Sequence, residues 1–354
     1  MIASTTRESL RKFTEYLASQ FKIKILGVPQ QLLGIQLSWG RNFRSVHLSA
    51  SKLIRKLLAQ FWTEKDGYKE VPMNSRLKLL PEDQLMNTAE RYLTKEDKAM
   101  QKQYRTIVGT FIFLVNTCRA DITFANMILC RSMANPGWKH FKAAKEVLSY
   151  LAKYPDLGIS YHQSGNMRPY GYCDADHGSD WTRRTITGYM FFLAGGPISW
   201  KSKLIKEVCL ATAESEVQAI HAALAPIREA AWLIKVQEEI GPEVLGPQPF
   251  NSIKLRTSQD FSNMSPVVIF EDNKACIQYA QNPTGHTLMK HLDRQLRWIR
   301  QQVENKTIKL EYLETVLQIA DLFTKPLEPG QFWNLVSKFM MTLDQYRSLY
   351  PEEE

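Results

Sequence analysis

Leu10, Phe13, Leu17 and Phe21 recur at helical spacing behind Thr5-Thr6-Arg7-Glu8, a capping-box pattern, and predict an amphipathic helix at the start of the chain. The period then changes. Leu33, Ile35, Leu37 and Trp39 alternate with Gly34, Gln36 and Ser38, Gly40-Arg41-Asn42 turns the chain, and Val46-His47-Leu48 follows, which predicts a hairpin with one buried face. The next helix carries Leu53, Leu57 and Phe61 on one side and Lys52, Arg55 and Lys56 on its wetter flank. Residues 63–90 are rich in charge, proline and asparagine and read as a surface linker. A helical region follows: an apolar stretch over 107–115, a helix over 122–133 stopped by Asn135-Pro136-Gly137, and a helix over 138–152 with Lys139, Lys142 and Lys145.

From residue 167 the pattern turns to strands, expected over 168–173, 188–193, 198–201 and 207–210, with a turn at Gly195-Gly196-Pro197; short connections suggest an antiparallel meander. A long helix is expected over 213–240, buried along Val217, Ile220, Leu224 and Ile227 and interrupted at Pro226, and 241–265 reads as a long loop. The apolar run Val267-Val268-Ile269-Phe270 suits a strand covered on both faces, and it leads through Glu271-Asp272-Asn273 into a helix. A helix with Leu292, Leu296 and Ile299, a strand over 308–312 and a last helix over 319–325 complete the pattern. This order predicts an α/β domain: one mixed sheet with helices packed on it.

Composition narrows the picture. The 354 residues are 44% apolar, enough for two or three domains with buried cores, and no run reaches the roughly 20 apolar residues of a membrane span. The N-terminus lacks a signal-peptide pattern, so an intracellular protein is expected. Five cysteines, Cys118, Cys130, Cys173, Cys209 and Cys276, show no zinc-finger spacing and are read as reduced and mostly buried. A net charge of +9 suits a polyanionic partner. Lys52, Arg55, Lys56, Lys139, Lys142 and Lys145 are the candidate phosphate contacts, with a solvated helix face as the plainer reading.

The candidate chemistry lies in four acids at the ends of central elements: Asp174 just after the first strand of the sheet, Glu216 in the first turn of the long helix, Asp272 just after the fourth strand, and Asp321 near the start of the last helix. Carboxylates brought together repel, so such a cluster is stable mainly with cations in it. Oxygen donors without imidazole or thiolate favour Mg²⁺ or Mn²⁺, and two such ions can drive phosphodiester hydrolysis. Each acid also has an ordinary explanation as a cap, turn or helix-dipole residue, and Asp176, Asp180 and Glu271 compete with the four.

Several segments carry a resemblance. Gly171-Tyr172-Cys173-Asp174-Ala175-Asp176, Ile186-Thr187-Gly188-Tyr189, Gly196-Pro197-Ile198-Ser199-Trp200, Ala211-Thr212-Ala213-Glu214-Ser215-Glu216, Glu271-Asp272-Asn273-Lys274-Ala275, Lys290-His291-Leu292-Asp293 and Ala320-Asp321-Leu322-Phe323-Thr324-Lys325-Pro326, in this order, resemble the ribonuclease H region of copia-type LTR retrotransposon Pol polyproteins. Leu33-Gly34-Ile35-Gln36-Leu37, Leu48-Ser49-Ala50-Ser51-Lys52, Tyr104-Arg105-Thr106-Ile107-Val108-Gly109, Arg119-Ala120-Asp121-Ile122 and His140-Phe141-Lys142-Ala143-Ala144-Lys145 resemble the later part of the copia-type reverse transcriptase and its connection to the nuclease.

The resemblance implies a truncated reverse-transcriptase palm/thumb remnant over 1–75, a mostly helical connection region over 76–165, a ribonuclease H-like mixed five-stranded sheet with flanking helices over 166–327, and a C-terminal tail helix over 328–354. It implies a metal-dependent endoribonuclease on RNA–DNA hybrid, with two Mg²⁺ or Mn²⁺ ions on Asp174, Glu216, Asp272 and Asp321. Glu216 is chosen over Glu214 from the family's Glu-x-Glu-aromatic pattern, in which the aromatic has become Val217. The polymerase's Tyr-x-Asp-Asp loop occurs nowhere in the sequence, so DNA synthesis is not expected from this chain alone, and a separately supplied polymerase half is a candidate partner beside the hybrid. No His lies in 312–319, where many ribonucleases H carry one, and His291 reads as structural. The competing reading is a catalytically inert nucleic-acid-binding remnant of Pol. Cytoplasmic particles and the nucleus remain equal as the site of action.

Overall fold

Alternation of buried and wetter side chains sets two sheets, and the computed structural model of the protein describes them through residues 7–24, 27–85, 92–163, 168–176, 182, 184–208, 232, 266–281 and 293–351. In chain order the elements are α1 (Arg7–Gln20), β1 (Gln31–Leu32), β2 (Ile35–Trp39), β3 (Ser45–Ser49), α2 (Ser51–Phe61), α3 (Lys95–Val115), α4 (Thr123–Cys130), α5 (Trp138–Lys153) and β4 (Leu157–His162). There follow β5 (Tyr170–Asp176), β6 (Arg184–Leu193), β7 (Gly196–Val208), β8 (Val267–Glu271), α6 (Lys274–Gln281), α7 (Asp293–Glu304), β9 (Ile308–Tyr312), α8 (Asp321–Thr324), α9 (Pro329–Val336), β10 (Met340–Thr342) and α10 (Leu343–Leu349).

The first sheet, in the order β1-β2-β3-β4-β10, is antiparallel throughout. It gathers strands from both ends of the chain, so the C-terminal segment is not the single tail helix expected over 328–354. Phe339, Met340 and Tyr346 are buried, and burying them needs the chain to leave α9, pair with β4 and lay α10 back over the sheet. Tyr346 stacks on His47 and its hydroxyl lies 2.8 Å from Ser45 Oγ. Strand β4 was likewise not expected; its ladder partners on both sides are distant in sequence.

At the front, the β2–β3 hairpin forms as expected. Leu33 does not join its buried face. It sits at φ 49° beside Gly34 at φ 88° in a two-residue turn between β1 and β2, and its side chain is exposed. Helix α1 forms with Leu10 and Phe13 exposed, and Phe21, just past its end, is exposed as well.

The second sheet has the order β7-β6-β5-β8-β9, with β7, β6 and β5 antiparallel and β5, β8 and β9 parallel. It is the expected mixed five-stranded sheet. The strand expected over 198–201 and the described part, 207–208, of that expected over 207–210 are one strand, β7. Lys201 and Lys203 are exposed and Ser202 is buried, so the polar stretch is itself alternating, and it keeps pairing with β6. Ala194 at φ 52° and Gly195 at φ 79° make the two-residue turn between them. The long helix expected over 213–240 and the loop over 241–265 fall outside the described residues, apart from Trp232.

Met190 and Phe192 face a large core shared with Ile54, Tyr104, Phe111, Leu148, Ile159, Phe323, Leu335 and Met340, whereas Phe191 faces a smaller core with Cys173, Ile269, Ile299 and Leu310. The large core therefore draws on segments from residue 35 to residue 340. At its base Arg119, fully buried, forks onto Asp121 at 2.6–3.2 Å and donates to the Tyr154 carbonyl, while Tyr150 donates to Asp121 at 2.7 Å. All three guanidinium nitrogens and both carboxylate oxygens of that buried pair have hydrogen-bond partners, which is the condition under which such a pair is tolerated.

The described part of the expected linker, 63–85, is packed on α5. Asp66 takes Lys145 at 2.8 Å, Asp83 takes Lys139 at 2.9 Å and Glu70 takes Lys153. Met73 and Leu85 are buried beneath it.

Candidate metal centre

Strand β5 carries Asp174 inside the strand, not just after it as expected, in register with Gly188 of β6. Asp174 shares its face of the sheet with Tyr170 and Tyr172, against which the large core packs, and is buried. Strand β8 ends at Glu271, so Asp272 follows the strand as expected. Because β5 and β8 run parallel with Tyr172 opposite Phe270, both sets of acids arrive at the same edge of the sheet. One ligand oxygen from each of Asp174, Glu271 and Asp272 lies within 4.8 Å of the others.

Asp321 reaches this edge from the other side. Gln318, fully buried, donates from Nε2 to the Cys173 carbonyl at 3.0 Å and accepts from the Ala320 amide at 3.2 Å, which pins the start of α8 to β5. The Thr324 hydroxyl donates to Asp174 Oδ2. Gly188 makes this approach achievable: a Cβ there would lie 2.5 Å from Phe323 Cβ and 2.9 Å from Thr324 Cγ2. Asp321 thereby lies near enough to Asp174 for the two charges to act on each other.

The electrostatics follow from burial. Asp321 is pushed up to about 7, first by desolvation and then by the charge of Asp174, with Lys325 pulling the other way. Glu271 is raised well above the usual carboxylate range, again first by burial and then by Asp174. It accepts from Cys173 Sγ at 3.1 Å and from the Asn273 amide at 3.3 Å. Lys325 Nζ lies 2.9 Å from Asp321 Oδ1, an oxygen that has no well-aligned hydrogen bond besides this ion pair. Burial alone would lower the Lys325 ammonium, but Asp321, Asp174 and Asp176 outweigh it and raise it.

Of the four expected acids, Asp174 and Asp272 come together, Asp321 lies beside Asp174, and Glu216 lies outside the described residues. Glu271, weighed in the sequence only as a competitor, joins them. The strand period sets Glu271 beside core Val267 and Ile269, which marks it as buried but on the face away from Asp174, so its approach to Asp174 was not legible from the period. Thr324 and Lys325 had no expected role, although positions three and four after Asp321 fall on its side of a helical turn.

Oxygen donors, mutual repulsion and burial fit a hard divalent cation, with neither imidazole nor thiolate in the set. Among the cations proposed for phosphate contact, Arg55 forks onto Asp156 at 2.6–2.8 Å, and Lys139 and Lys145 hold the 63–85 segment as described. Lys52, Lys56 and Lys142 are exposed. No helix among the described residues is long and apolar enough to cross a membrane.

Comparison with known proteins adds the following. The chain is 29% identical over 335 residues, 94% of its length, to the Retrovirus-related Pol polyprotein from transposon TNT 1-94 of Nicotiana tabacum, of which it covers 23%. It is 29% identical over 336 residues to the Retrovirus-related Pol polyprotein from transposon RE1 of Arabidopsis thaliana, covering 94% of this chain and 20% of that protein. It is 35% identical over 131 residues to Secreted RxLR effector protein 161 of Plasmopara viticola, covering 37% of this chain and 90% of that protein. The chain thus spans about a fifth of the length of the polyproteins it matches. No family profile and no solved structure matches.

Proposed function

We propose that this chain, whose homologues over most of its length are copia-type retrotransposon Pol polyproteins and which over 131 residues belongs to one family with the Plasmopara viticola protein, is a ribonuclease H acting on the RNA strand of RNA–DNA hybrid. The observation that carries this reading is the meeting of Asp174, Asp272 and Glu271 within 4.8 Å at the edge where Asp321 also arrives. The strand order β7-β6-β5-β8-β9, a meander followed by two parallel strands, is compatible with a ribonuclease H-like sheet.

In this reading Asp174, Asp272 and Asp321, with Glu216, hold two Mg²⁺ or Mn²⁺ ions. Such ions supply an activated water on one side of a phosphodiester and charge stabilisation of the leaving oxygen on the other. Among the described acids, Asp174 links the two halves of the site, because it neighbours both the β8 acids and Asp321. Thr324 fixes the rotamer of Asp174, and Lys325 holds Asp321 against the like charge beside it. Hydrolysis leaves 3′-hydroxyl and 5′-phosphate ends, and no polymerase activity is assigned to the chain.

The test is hybrid cleavage by the purified chain. RNA in a labelled hybrid is expected to be cut in Mg²⁺ and left intact with chelator, and Asp272→Asn is expected to abolish cutting. Equal cutting by that variant would remove the proposed centre.

A further inference from the structure

An acidic centre cannot attract a polyanion by its own charge, so a cation beside it has to hold the substrate's phosphates. Lys274 opens α6 two residues after Asp272, and its side chain is exposed. Its Nζ lies 4.5 Å from the centroid of the Tyr312 ring. Tyr312 ends β9 in parallel register with Glu271, and the Leu313 amide donates to the Glu271 carbonyl at 3.0 Å, so the ring stands one strand away from the carboxylates. Nearly half of Tyr312 is exposed.

We propose that Lys274, held on the face of Tyr312, is a phosphate-binding residue that seats the nucleic-acid backbone beside the metal centre. This rests on the nuclease reading. A lysine ammonium on a flexible stem loses rotamer freedom when it binds a phosphate, and a ring that already holds it removes part of that cost. The ring attracts through its face, so the phenol hydroxyl is not needed. Unlike Arg55, Lys139 and Lys145, Lys274 is held by an uncharged partner and keeps its charge available to an anion.

The test is anisotropy of a labelled RNA–DNA hybrid, titrated with the full chain in Ca²⁺ at several KCl concentrations. Wild type is expected to bind with a steep salt dependence. Lys274→Ala is expected to weaken binding and to lower the magnitude of the slope of log K against log salt by about 1, the loss of one phosphate contact. Lys274→Arg should keep the slope. Tyr312→Phe should match wild type, whereas Tyr312→Leu should bind several-fold more weakly. Wild-type slope and affinity in Lys274→Ala would overturn this assignment and leave the nuclease reading standing. A wild-type chain that binds no hybrid would overturn both.

Discussion

The Thr324 hydroxyl donates to Asp174 across 150 positions of sequence, and it is the direct hydrogen bond between the short helix α8 and the acid at the middle of the site. Both groups are buried, so neither exchanges this bond for one to water. The position of Asp321 relative to Asp174 therefore depends on a contact that carries no chemistry of its own.

Thr324→Val keeps the shape of the side chain and removes the donor. It is expected to destabilise the protein by about 1–3 kcal/mol, the cost of leaving a buried acceptor unsatisfied. Urea unfolding without divalent ions measures it. An unchanged midpoint would mean that Asp174 finds another donor.

Lys325→Met leaves Asp321 beside Asp174 without its counter-charge. Lys325 is about one-third exposed, so solvent screens the pair, and a loss of about 1–2 kcal/mol is expected rather than the 3–5 kcal/mol of a fully buried pair. Mg²⁺ is expected to raise the melting temperature of this variant by more than it raises that of wild type, since the ion takes over the missing charge. An equal rise in both proteins would count against Lys325 as the resident counter-charge.

Gly188→Ala sets a methyl group against Phe323 and Thr324. Backbone has to move, and α8 is the smaller body. The expected result is a loss of about 1–3 kcal/mol from overpacking together with at least a tenfold loss of hybrid cleavage. Stability loss with full activity would show that α8 shifts without carrying Asp321 away.

His47 supplies a pH test distant from the site. Burial lowers its pKa from 6.5 to about 4, with Asp156 opposing, and its Nδ1 lies 2.9 Å from Ser160 Oγ. The unfolded chain takes up a proton near 6.5 that the folded chain refuses until about 4, so stability is lost as pH falls through that window and the loss levels off below it. The size is on the order of 2–3 kcal/mol. The difference between wild type and His47→Phe, followed by urea unfolding from pH 7.5 to 4, isolates this group; a difference independent of pH would contradict it.

Elements that carry their own period are legible in the sequence. The strand at 308–312 matches β9, Val267-Val268-Ile269-Phe270 lies in β8, and the helix at 138–152 matches α5 within a residue. What escapes is defined by partners far away. Leu157-Gly158-Ile159-Ser160 becomes β4 because Val46–Leu48 backbone lies on one side and Met340-Met341-Thr342 on the other, and no local pattern announces either neighbour. The same holds at the site. Asp174, Asp272 and Asp321 are recognisable from motif and position, yet the strand period says only that Glu271 is buried and sets it on the face away from Asp174, and Thr324, Lys325 and Gly188 are decided by how closely α8 approaches β5 and β6. The lysines of α5 looked like a nucleic-acid face because the acids that hold them sit in a segment read as linker.

Calorimetric titration of Mn²⁺ into the chelator-treated chain tests the metal centre most directly, because it needs neither substrate nor turnover. Binding is expected for wild type and for Lys274→Ala, and its loss is expected for Asp174→Asn, whose carboxylate neighbours both groups of acids. Binding of the same affinity and stoichiometry in Asp174→Asn would contradict a shared metal centre at this edge of the sheet.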